Sequence, residues 1–198
     1  MKDPKGHLKK HQHYFKNIRG MKIANICGSN GRKAIPLSLL GADVTVFDLS
    51  EENRKYALEM AKYANTFIDY VIGDIYDINI QKYTGNFDIL YLEGGILHYF
   101  NDIGKFMDIL FLILKWGGRM ILSDYHPLGK CISSDFNYTP VYFDKELHNE
   151  DLAYKQFFNK EDQQDFPSVL IRHYTLSELM NSVITSGFKL QKFDEHRG

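Results

Sequence analysis

The sequence has few cysteines, no long apolar run and almost no net charge, and each of these absences excludes a class of protein. Its only cysteines, Cys27 and Cys131, stand in unrelated contexts, which argues against a disulfide framework and favours a reducing compartment. No run of about 18 apolar residues occurs, so no transmembrane helix is predicted. The polar N-terminus also lacks the apolar core of a signal peptide. We therefore expect a cytoplasmic protein without a membrane partner.

The charges are nearly balanced over the whole chain. A formal net charge of −1 provides no basic field to attract nucleic acid, so no nucleic-acid partner is expected. The bases gather near the start, where they predict a solvated N-terminal helix over residues 1–20. His7 and His11 form an i, i+4 pair that could bind a metal ion on a helix. No carboxylate or cysteine completes the set nearby, so no metal site is predicted.

Apolar runs with strand character alternate with capped, amphipathic segments along most of the chain. Helices are predicted at residues 32–40, 51–64 and 102–115, with Gly117-Gly118 ending the third, and again between a capping box at Thr175 and a stop at Gly187. This alternation predicts a single α/β domain over residues 1–198, with a Rossmann-like, doubly wound, mostly parallel sheet and helices on both faces. The six predicted strands are residues 22–27, 43–48, 67–72, 87–92, 119–123 and 188–193.

The alternation stops between residues 124 and 174, a stretch rich in aromatic and acidic side chains. A segment this long without strand–helix units is predicted to be a lid that covers the substrate. Residues 152–158 and 168–174 could pair as a hairpin within it. Acidic residues outnumber basic residues there, which disfavours a polyanionic substrate.

Small and acidic residues follow three of the predicted strands. Residues 27–31 (CGSNG) follow the first, Asp48 ends the second, and Gly73-Asp74 follows the third. Small residues let the backbone adopt positive φ and approach a ligand closely, and an acid at the end of the second strand accepts hydrogen bonds from a ribose diol. Because ligands of open parallel sheets bind at the carboxyl ends of the strands, this pattern predicts a nucleoside-like ligand.

Five segments of the chain resemble the motifs of class I S-adenosylmethionine-dependent methyltransferases. The resemblance is closest to the branch that includes the ubiquinone- and menaquinone-biosynthesis enzymes. It implies direct transfer of the methyl group of S-adenosylmethionine to a small-molecule acceptor, and we expect a monomer or homodimer. The segments are residues 23–31 (IANICGSNG), 41–53 (GADVTVFDLSEEN), 73–78 (GDIYDI), 87–100 (FDILYLEGGILHYF) and 116–127 (WGGRMILSDYHP).

The resemblance also implies which residues contact the cofactor. The loop after the first strand would wrap the methionine part, Asp48 would hold the ribose, and Asp74 and Ile75 would contact the adenine. His98 and His126 could act as general bases for the acceptor, or could shape the pocket through hydrogen bonds. The implied cofactor-binding residues are Asn25, Cys27, Gly28, Ser29, Asn30, Gly31, Asp48, Leu49, Asn53, Gly73, Asp74, Ile75, Glu93, Gly94, Gly95, His98 and Tyr99.

The chain departs from the family pattern in ways that keep two alternatives open. Asn25 stands where the family usually has an acid, and Cys27 and Ser29 stand where it usually has glycines. The family's seventh strand is not visible, so either the chain is truncated or the sheet has an edge that a partner subunit would cover. One alternative is a non-catalytic protein that binds S-adenosylmethionine. The other is a nicotinamide-dependent oxidoreductase, which normally needs G-x-G-x-x-G where this loop has Gly28-x-x-Gly31.

Overall fold

The computed structural model describes residues 3–132, 141–151 and 168–196, together with Asn137, Lys155 and Asn159. The chain forms two compact units. The first contains residues 1–94 and 105–124, and the second contains residues 95–104 and 125–198. The assignment of residues 1–198 to a single domain stays a prediction.

A five-stranded parallel sheet forms the centre of the first unit, in the order β3-β2-β1-β4-β5. The order reverses between β1 and β4, and such a reversal places the ends of these two strands at a switch point where open sheets bind ligands. The predicted Rossmann-like, mostly parallel sheet is therefore confirmed. The strands are β1 (Lys22–Ile26), β2 (Asp43–Asp48), β3 (Asp69–Ile72), β4 (Phe87–Glu93) and β5 (Leu114–Ser123).

Helices connect these strands, and α2 begins at the predicted place. Ser50 caps α2, because its hydroxyl accepts a hydrogen bond from the Asn53 N–H at 3.1 Å, and Glu51 and Glu52 occupy the first turn, where acids are favoured. Asp74 likewise accepts from the Tyr76 N–H and begins the short 3-10 helix Ile75–Asp77. The α-helices are α1 (Ala34–Leu39), α2 (Glu51–Tyr63), α3 (Ile80–Tyr83) and α4 (Ile103–Ile113).

Both faces of the sheet are buried in the first unit. On β2, Val44 and Val46 belong to the main apolar cluster, whereas Phe47 contacts the rings of Tyr83 and Phe87. Because neighbouring residues of a strand point to opposite faces, this pattern requires apolar cover on both sides. In the part of the chain that the structure describes, no helix has the length and apolar character needed to cross a bilayer.

The N-terminal segment is not the predicted solvated helix. Gly6–Phe15 forms a 3-10 helix that is interrupted at Lys9, whose φ is +49° and ψ is −129°. Leu8, Phe15 and Ile18 are buried in the main apolar cluster. Burial of each such side chain contributes about 1.5–3 kcal/mol to the stability. This contribution outweighs the preference of the neighbouring lysines for solvent.

Helix α4 runs directly into β5, so the prediction that Gly117-Gly118 ends this helix was wrong. Leu114 already pairs with Phe87, and a bulge shifts the register before the next pair. Gly117 has a φ of +79°, and a Cβ on Gly118 would lie 3.0 Å from the carbonyl oxygen of Asp88. Glycines inside a strand commonly mark such bulges and close backbone approaches.

The second unit contains an antiparallel pair, β6 (Leu147–Asp151) and β7 (Ser168–Arg172), and helix α5 (Leu176–Thr185). Among its described residues are also the 3-10 helices Leu97–Tyr99 and Pro127–Cys131. Strand β7 falls within the predicted hairpin segment 168–174, but its partner is residues 147–151. The predicted partner, residues 152–158, lies outside the described residues apart from Lys155, as do lid residues 133–136, 138–140, 160 and 161–167.

Two further predictions for the second unit have opposite outcomes. The capping box is confirmed, because the Thr175 hydroxyl accepts from the Glu178 N–H and the Glu178 carboxylate accepts from the Thr175 N–H. The predicted strand at residues 188–193 is wrong, because this segment is irregular. A strand is stable only where a neighbour satisfies its backbone groups, and no described segment pairs with these residues.

Candidate functional site

The loop after β1 turns sharply because three of its residues adopt positive φ. The φ angles are +50° at Cys27, +48° at Ser29 and +75° at Gly31. The Gly31 N–H donates to the Gly28 carbonyl at 3.2 Å, and the Gly31 carbonyl then accepts from the Ile35 N–H at 3.0 Å. These bonds fold the loop back on itself and lead it into α1, at the switch point of the sheet.

A buried amide lies beneath this loop. Asn25 is 3% exposed, and its side-chain nitrogen donates to the Tyr91 carbonyl of β4 at 3.2 Å. Its Oδ1 has no hydrogen-bond donor among the described residues. A Cβ added to Gly28 would lie 2.7 Å from this Oδ1 and 2.8 Å from Val46 Cγ1. The second position of the loop therefore accepts only glycine without rearrangement, and it stands beside an unused acceptor.

The Asp48 carboxylate ties the loop to β2 and α2. Its Oδ2 accepts from the Ser29 N–H at 2.9 Å, and its Oδ1 accepts from the Ser50 N–H at 3.1 Å and from the Asn53 amide at 3.5 Å. An ionised carboxylate offers about four acceptor positions, so the three bonds fix its orientation and leave room for a further donor.

Tyr70 fastens the same loop from β3. Its hydroxyl donates to the Ser29 carbonyl at 2.8 Å. Burial, followed by the nearby carboxylate of Asp48, raises the pKa of this hydroxyl, so it remains a donor at neutral pH. Burial also raises the pKa of the Cys27 thiol to about 12, with smaller effects from Asp48 and other carboxylates. Because the thiolate is the reactive form, Cys27 is a packing residue and not a nucleophile at neutral pH.

The residues after β3 continue the edge of the site. The Gly73 N–H donates to the Asp48 carbonyl at 3.1 Å, and Asp74 uses one carboxylate oxygen to cap the following 3-10 helix. Ile75 is buried, whereas Leu49, next to Asp48, is 71% exposed. Leu49 is therefore accessible as an apolar surface next to Asp48.

The Glu93 carboxylate, at the end of β4, already has three partners. It accepts from His11 Nδ1 at 2.9 Å, from the Tyr91 hydroxyl, and from Lys33 Nζ at 3.0 Å. Burial by itself would raise the pKa of Glu93, but these hydrogen bonds outweigh it and lower the pKa to about 2. The next residue, Gly94, donates its N–H to the Ser123 carbonyl of β5 at 3.1 Å.

The remaining predicted site residues lie in the second unit. A Cβ on Gly95 would overlap the Tyr125 ring, and the rings of His98 and Tyr99 lie 4.1 Å apart. Both ring nitrogens of His126 are engaged. Nδ1 accepts from the Leu128 N–H at 3.2 Å, and Nε2 lies 2.6 Å from Glu195 Oε1. Among the described residues, no group of three or more His, Cys, Asp or Glu side chains could hold a metal ion.

The structure thus brings the loop, Asn25, Asp48, Asp74 and Glu93 to one edge of the first unit's sheet. Sequence reasoning missed the residues that hold this edge together: Tyr70, Tyr91, Lys33 and His11. Tyr70 and His11 act across 41 and 82 positions, and Lys33 reaches His7 across 26. The Tyr91 hydroxyl contacts Glu93 two positions away, whereas its carbonyl contacts Asn25 across 66. The buried His11 had one local signal, its place between the apolar residues Leu8 and Phe15.

Comparison with known proteins adds a family and a set of relatives. Residues 26–122 match the profile of the methyltransferase domain family. Phosphoethanolamine N-methyltransferase 1 of Arabidopsis thaliana is 24% identical over 186 residues, which cover 89% of this chain and 37% of that protein. The uncharacterised methyltransferase YbaJ of Bacillus subtilis is 24% identical over 197 residues, covering 93% of this chain and 72% of that protein. The chain thus spans little more than a third of the plant relative.

The solved structures support the fold. An S-adenosylmethionine-dependent methyltransferase from Mesorhizobium loti superimposes with a TM-score of 0.66 at 21% identity, covering 92% of this chain and 82% of that chain. At this identity the likeness concerns the architecture, and a shared architecture does not by itself determine chemistry.

Proposed function

The chain belongs to the methyltransferase domain family, of the class I, S-adenosylmethionine-dependent type, and on this premise we propose that it methylates a small-molecule acceptor. The donor is S-adenosylmethionine. The likeness to the ubiquinone- and menaquinone-biosynthesis branch stays a prediction. So do the cytoplasmic location, which the unpaired thiols of Cys27 and Cys131 support, and the monomeric or homodimeric state.

One observation carries the proposal, namely the unused acceptor beneath the glycine of the loop. The buried Asn25 Oδ1 has no donor among the described residues, and an unpaired buried polar group is costly unless a ligand satisfies it. The Cβ position of Gly28 is filled by Asn25 Oδ1 and Val46 Cγ1, so a glycine is needed for the loop to pass this close to the unused acceptor. These residues fit the methionine end of S-adenosylmethionine, because the amide oxygen can accept a hydrogen bond from the ammonium group of the methionine.

The other end of the cofactor would be held by carboxylates and apolar groups. Asp48 would accept hydrogen bonds from the ribose hydroxyls, using the acceptor capacity that its three present donors leave free. Asp74 and Ile75 would contact the adenine, and the exposed Leu49 would cover one of its faces. The proposal includes the other predicted contacts except that of Glu93.

The proposed reaction requires little acid–base chemistry from this chain. S-adenosylmethionine supplies a methyl group that its positively charged sulfur already makes electrophilic. The loop, Asn25 and Asp48 would orient the two ends of the donor and exclude water, and such alignment is worth up to about 7–11 kcal/mol of the barrier. A general base is needed only for an acceptor that arrives protonated. His98 and His126 are the two candidates for that role.

The test is direct binding followed by turnover. Isothermal titration calorimetry with S-adenosylhomocysteine, S-adenosylmethionine and NADH separates the nucleoside classes, and a panel of small acceptors then tests methyl transfer. Phosphoethanolamine belongs in this panel, because one relative is a phosphoethanolamine N-methyltransferase. We expect S-adenosylhomocysteine to bind and at least one acceptor to be methylated.

Two outcomes would favour the alternatives. Binding of NADH without binding of S-adenosylhomocysteine would point to an oxidoreductase and overturn the proposal. Binding of S-adenosylmethionine without transfer to any acceptor of a broad panel would favour the non-catalytic binding protein.

A further inference from the structure

The N-terminal strap, defined here as residues 6–18, packs against the rest of the first unit through buried side chains on one side. Leu8, His11, Phe15 and Ile18 are at most 7% exposed. The Phe15 ring packs edge-on against the Tyr91 ring of β4, with 4.9 Å between centroids. Lys9 and its neighbour Lys10 point to solvent, so the strap has a buried side and an accessible basic side.

Glu93 joins this strap to the end of β4 at two points. Its Oε2 accepts from His11 Nδ1 at 2.9 Å. Its Oε1 accepts from Lys33 Nζ at 3.0 Å, and the same Nζ donates to the His7 carbonyl at 2.9 Å. One carboxylate therefore holds the strap at two points. It contacts the His11 side chain directly, and it reaches the His7 carbonyl through Lys33.

The same contacts reach the proposed cofactor residues. Lys33 lies two positions after Gly31, the end of the loop. The Tyr91 hydroxyl donates to Glu93, while the Tyr91 carbonyl accepts from the Asn25 amide and so orients the unused Asn25 Oδ1. The strap, the loop and the buried amide are thus connected through β4 and Lys33.

Direct contact between Glu93 and the cofactor is the competing role. The contacts of Glu93 favour a role in holding the strap, because all three of its donors are side chains in charge-assisted bonds. Two of these donors lead to the strap, His11 as one of its residues and Lys33 through its bond to the His7 carbonyl. We therefore infer that Glu93 is a positioning residue that latches the N-terminal strap beside the loop at residues 27–31, and that cofactor release requires this latch to open. The inference rests on the proposed function for its second half only.

The experiment compares three variants of the full chain. Glu93→Gln removes the charge from the latch, and Lys33→Met removes the bridge to His7 while keeping an apolar stem. Lys115→Met is the control, because Lys115 Nζ and Asp88 Oδ1 form an ion pair of the same 3.0 Å length at the opposite ends of the strands. Urea unfolding establishes that each variant is folded before the comparison.

Two readouts are measured on each folded variant. The first is the rate of tryptic cleavage after Lys9 and Lys10, followed by mass spectrometry, which reports local opening of the strap. The second is the dissociation rate of S-adenosylhomocysteine in a chase experiment. We expect Glu93→Gln and Lys33→Met to raise both rates about 10-fold, the factor that corresponds to 1.4 kcal/mol, and Lys115→Met to change neither.

The outcomes are separable. Unchanged cleavage with weaker binding would identify Glu93 as a direct cofactor ligand and overturn the inference. Faster cleavage with an unchanged dissociation rate would overturn the link between strap and cofactor. If the wild-type chain binds no S-adenosylhomocysteine, the proposed function fails, while the cleavage rates still decide whether Glu93 latches the strap. Equal rates in all variants would overturn the latch itself.

Discussion

Replacing Asp48 with asparagine should weaken the binding of S-adenosylhomocysteine as well as lower the stability of the ligand-free protein. The carboxylate accepts three hydrogen bonds from the chain, and the asparagine amide keeps one oxygen for them. A hydrogen bond to a charged group is worth about 1.5–3 kcal/mol, so loss of the ribose contact should raise the dissociation constant about 10- to 150-fold. Loss of one contact between the chain and this carboxylate should lower the free energy of unfolding by a similar amount, about 1.5–3 kcal/mol.

The assay separates these two effects. Calorimetric titration gives the dissociation constant, and urea unfolding of the ligand-free protein gives the stability. Asp43→Asn is the matched control, because Asp43 begins the same strand that Asp48 ends and is exposed at the opposite edge. We expect this control to leave the dissociation constant within a factor of two of the wild-type value.

A ligand variant sharpens the test further. The 2′-deoxy analogue of S-adenosylhomocysteine lacks one of the hydroxyls that Asp48 would hold. In a cycle that combines this ligand with Asp48→Asn, the two losses should not add, because they remove the same interaction. Fully additive losses, or equal weakening by the Asp43 control, would refute the assignment of Asp48 to the ribose.

Three other predictions concern the same edge of the sheet. Gly28→Ala places a Cβ 2.7 Å from Asn25 Oδ1, so it should cost about 1–3 kcal/mol of stability and more than about 10-fold in affinity for S-adenosylhomocysteine. Gly129→Ala is the control, because nothing lies within 4 Å of its new Cβ. It should change neither the stability nor the affinity, as measured by urea and calorimetric titration. Cys27, with a pKa of about 12, should react with N-ethylmaleimide at pH 7.5 far more slowly in the folded than in the urea-unfolded protein; equal rates would contradict its burial. Glu93 has its pKa lowered from 4.5 to about 2, so its contribution is present above about pH 4.5 and is lost as the pH falls toward 2. Since the carboxylate is half-buried and partly screened, Glu93→Gln should lower stability at pH 7 by about 1–2 kcal/mol, and urea titrations should show that difference vanishing near pH 2; a difference independent of pH would argue against the ion pairs.

The local signals in the sequence predicted the elements whose ends are set locally. Ser50 and the capping box at Thr175 satisfy the first N–H groups of their own helices, so the residues that mark the start are adjacent to it. The loop at residues 27–31 and Asp48 were predictable for the same reason, since each directly follows or ends a strand with a clear apolar pattern.

The wrong predictions depend on partners that are distant in sequence. A glycine pair commonly ends a helix, but here a Cβ on Gly118 would meet the Lys115 carbonyl oxygen at 2.9 Å and the Asp88 carbonyl oxygen at 3.0 Å, the latter 30 positions earlier in the chain. The alternating residues 188–193 have strand character, yet strand formation depends on a neighbour that the described residues do not provide. No local pattern indicates whether such a neighbour exists.

The same distinction between local signals and distant partners applies to the site. The residues expected to touch the ligand were predicted from their positions at strand ends, whereas those that hold them in place were not. Tyr70 contacts the loop across 41 positions, and His11 reaches Glu93 across 82. A basic, histidine-containing segment resembles a solvated helix in isolation, and only the folded sheet supplies the carboxylate that draws its histidine inward.

The side chains at Cys27 and Ser29 have a consequence for how the site responds to a ligand. Both residues hold left-handed backbone conformations, with φ of +50° and +48°, and each costs the folded state about 1–2 kcal/mol relative to glycine. A loop with these side chains also samples fewer conformations than one built of glycines. Less conformational entropy is then lost when a ligand is captured. The turn is thus less stable than one built of glycines, but it is more rigid before the ligand binds. Replacing both residues with glycine should therefore make the binding entropy less favourable and the binding more enthalpic.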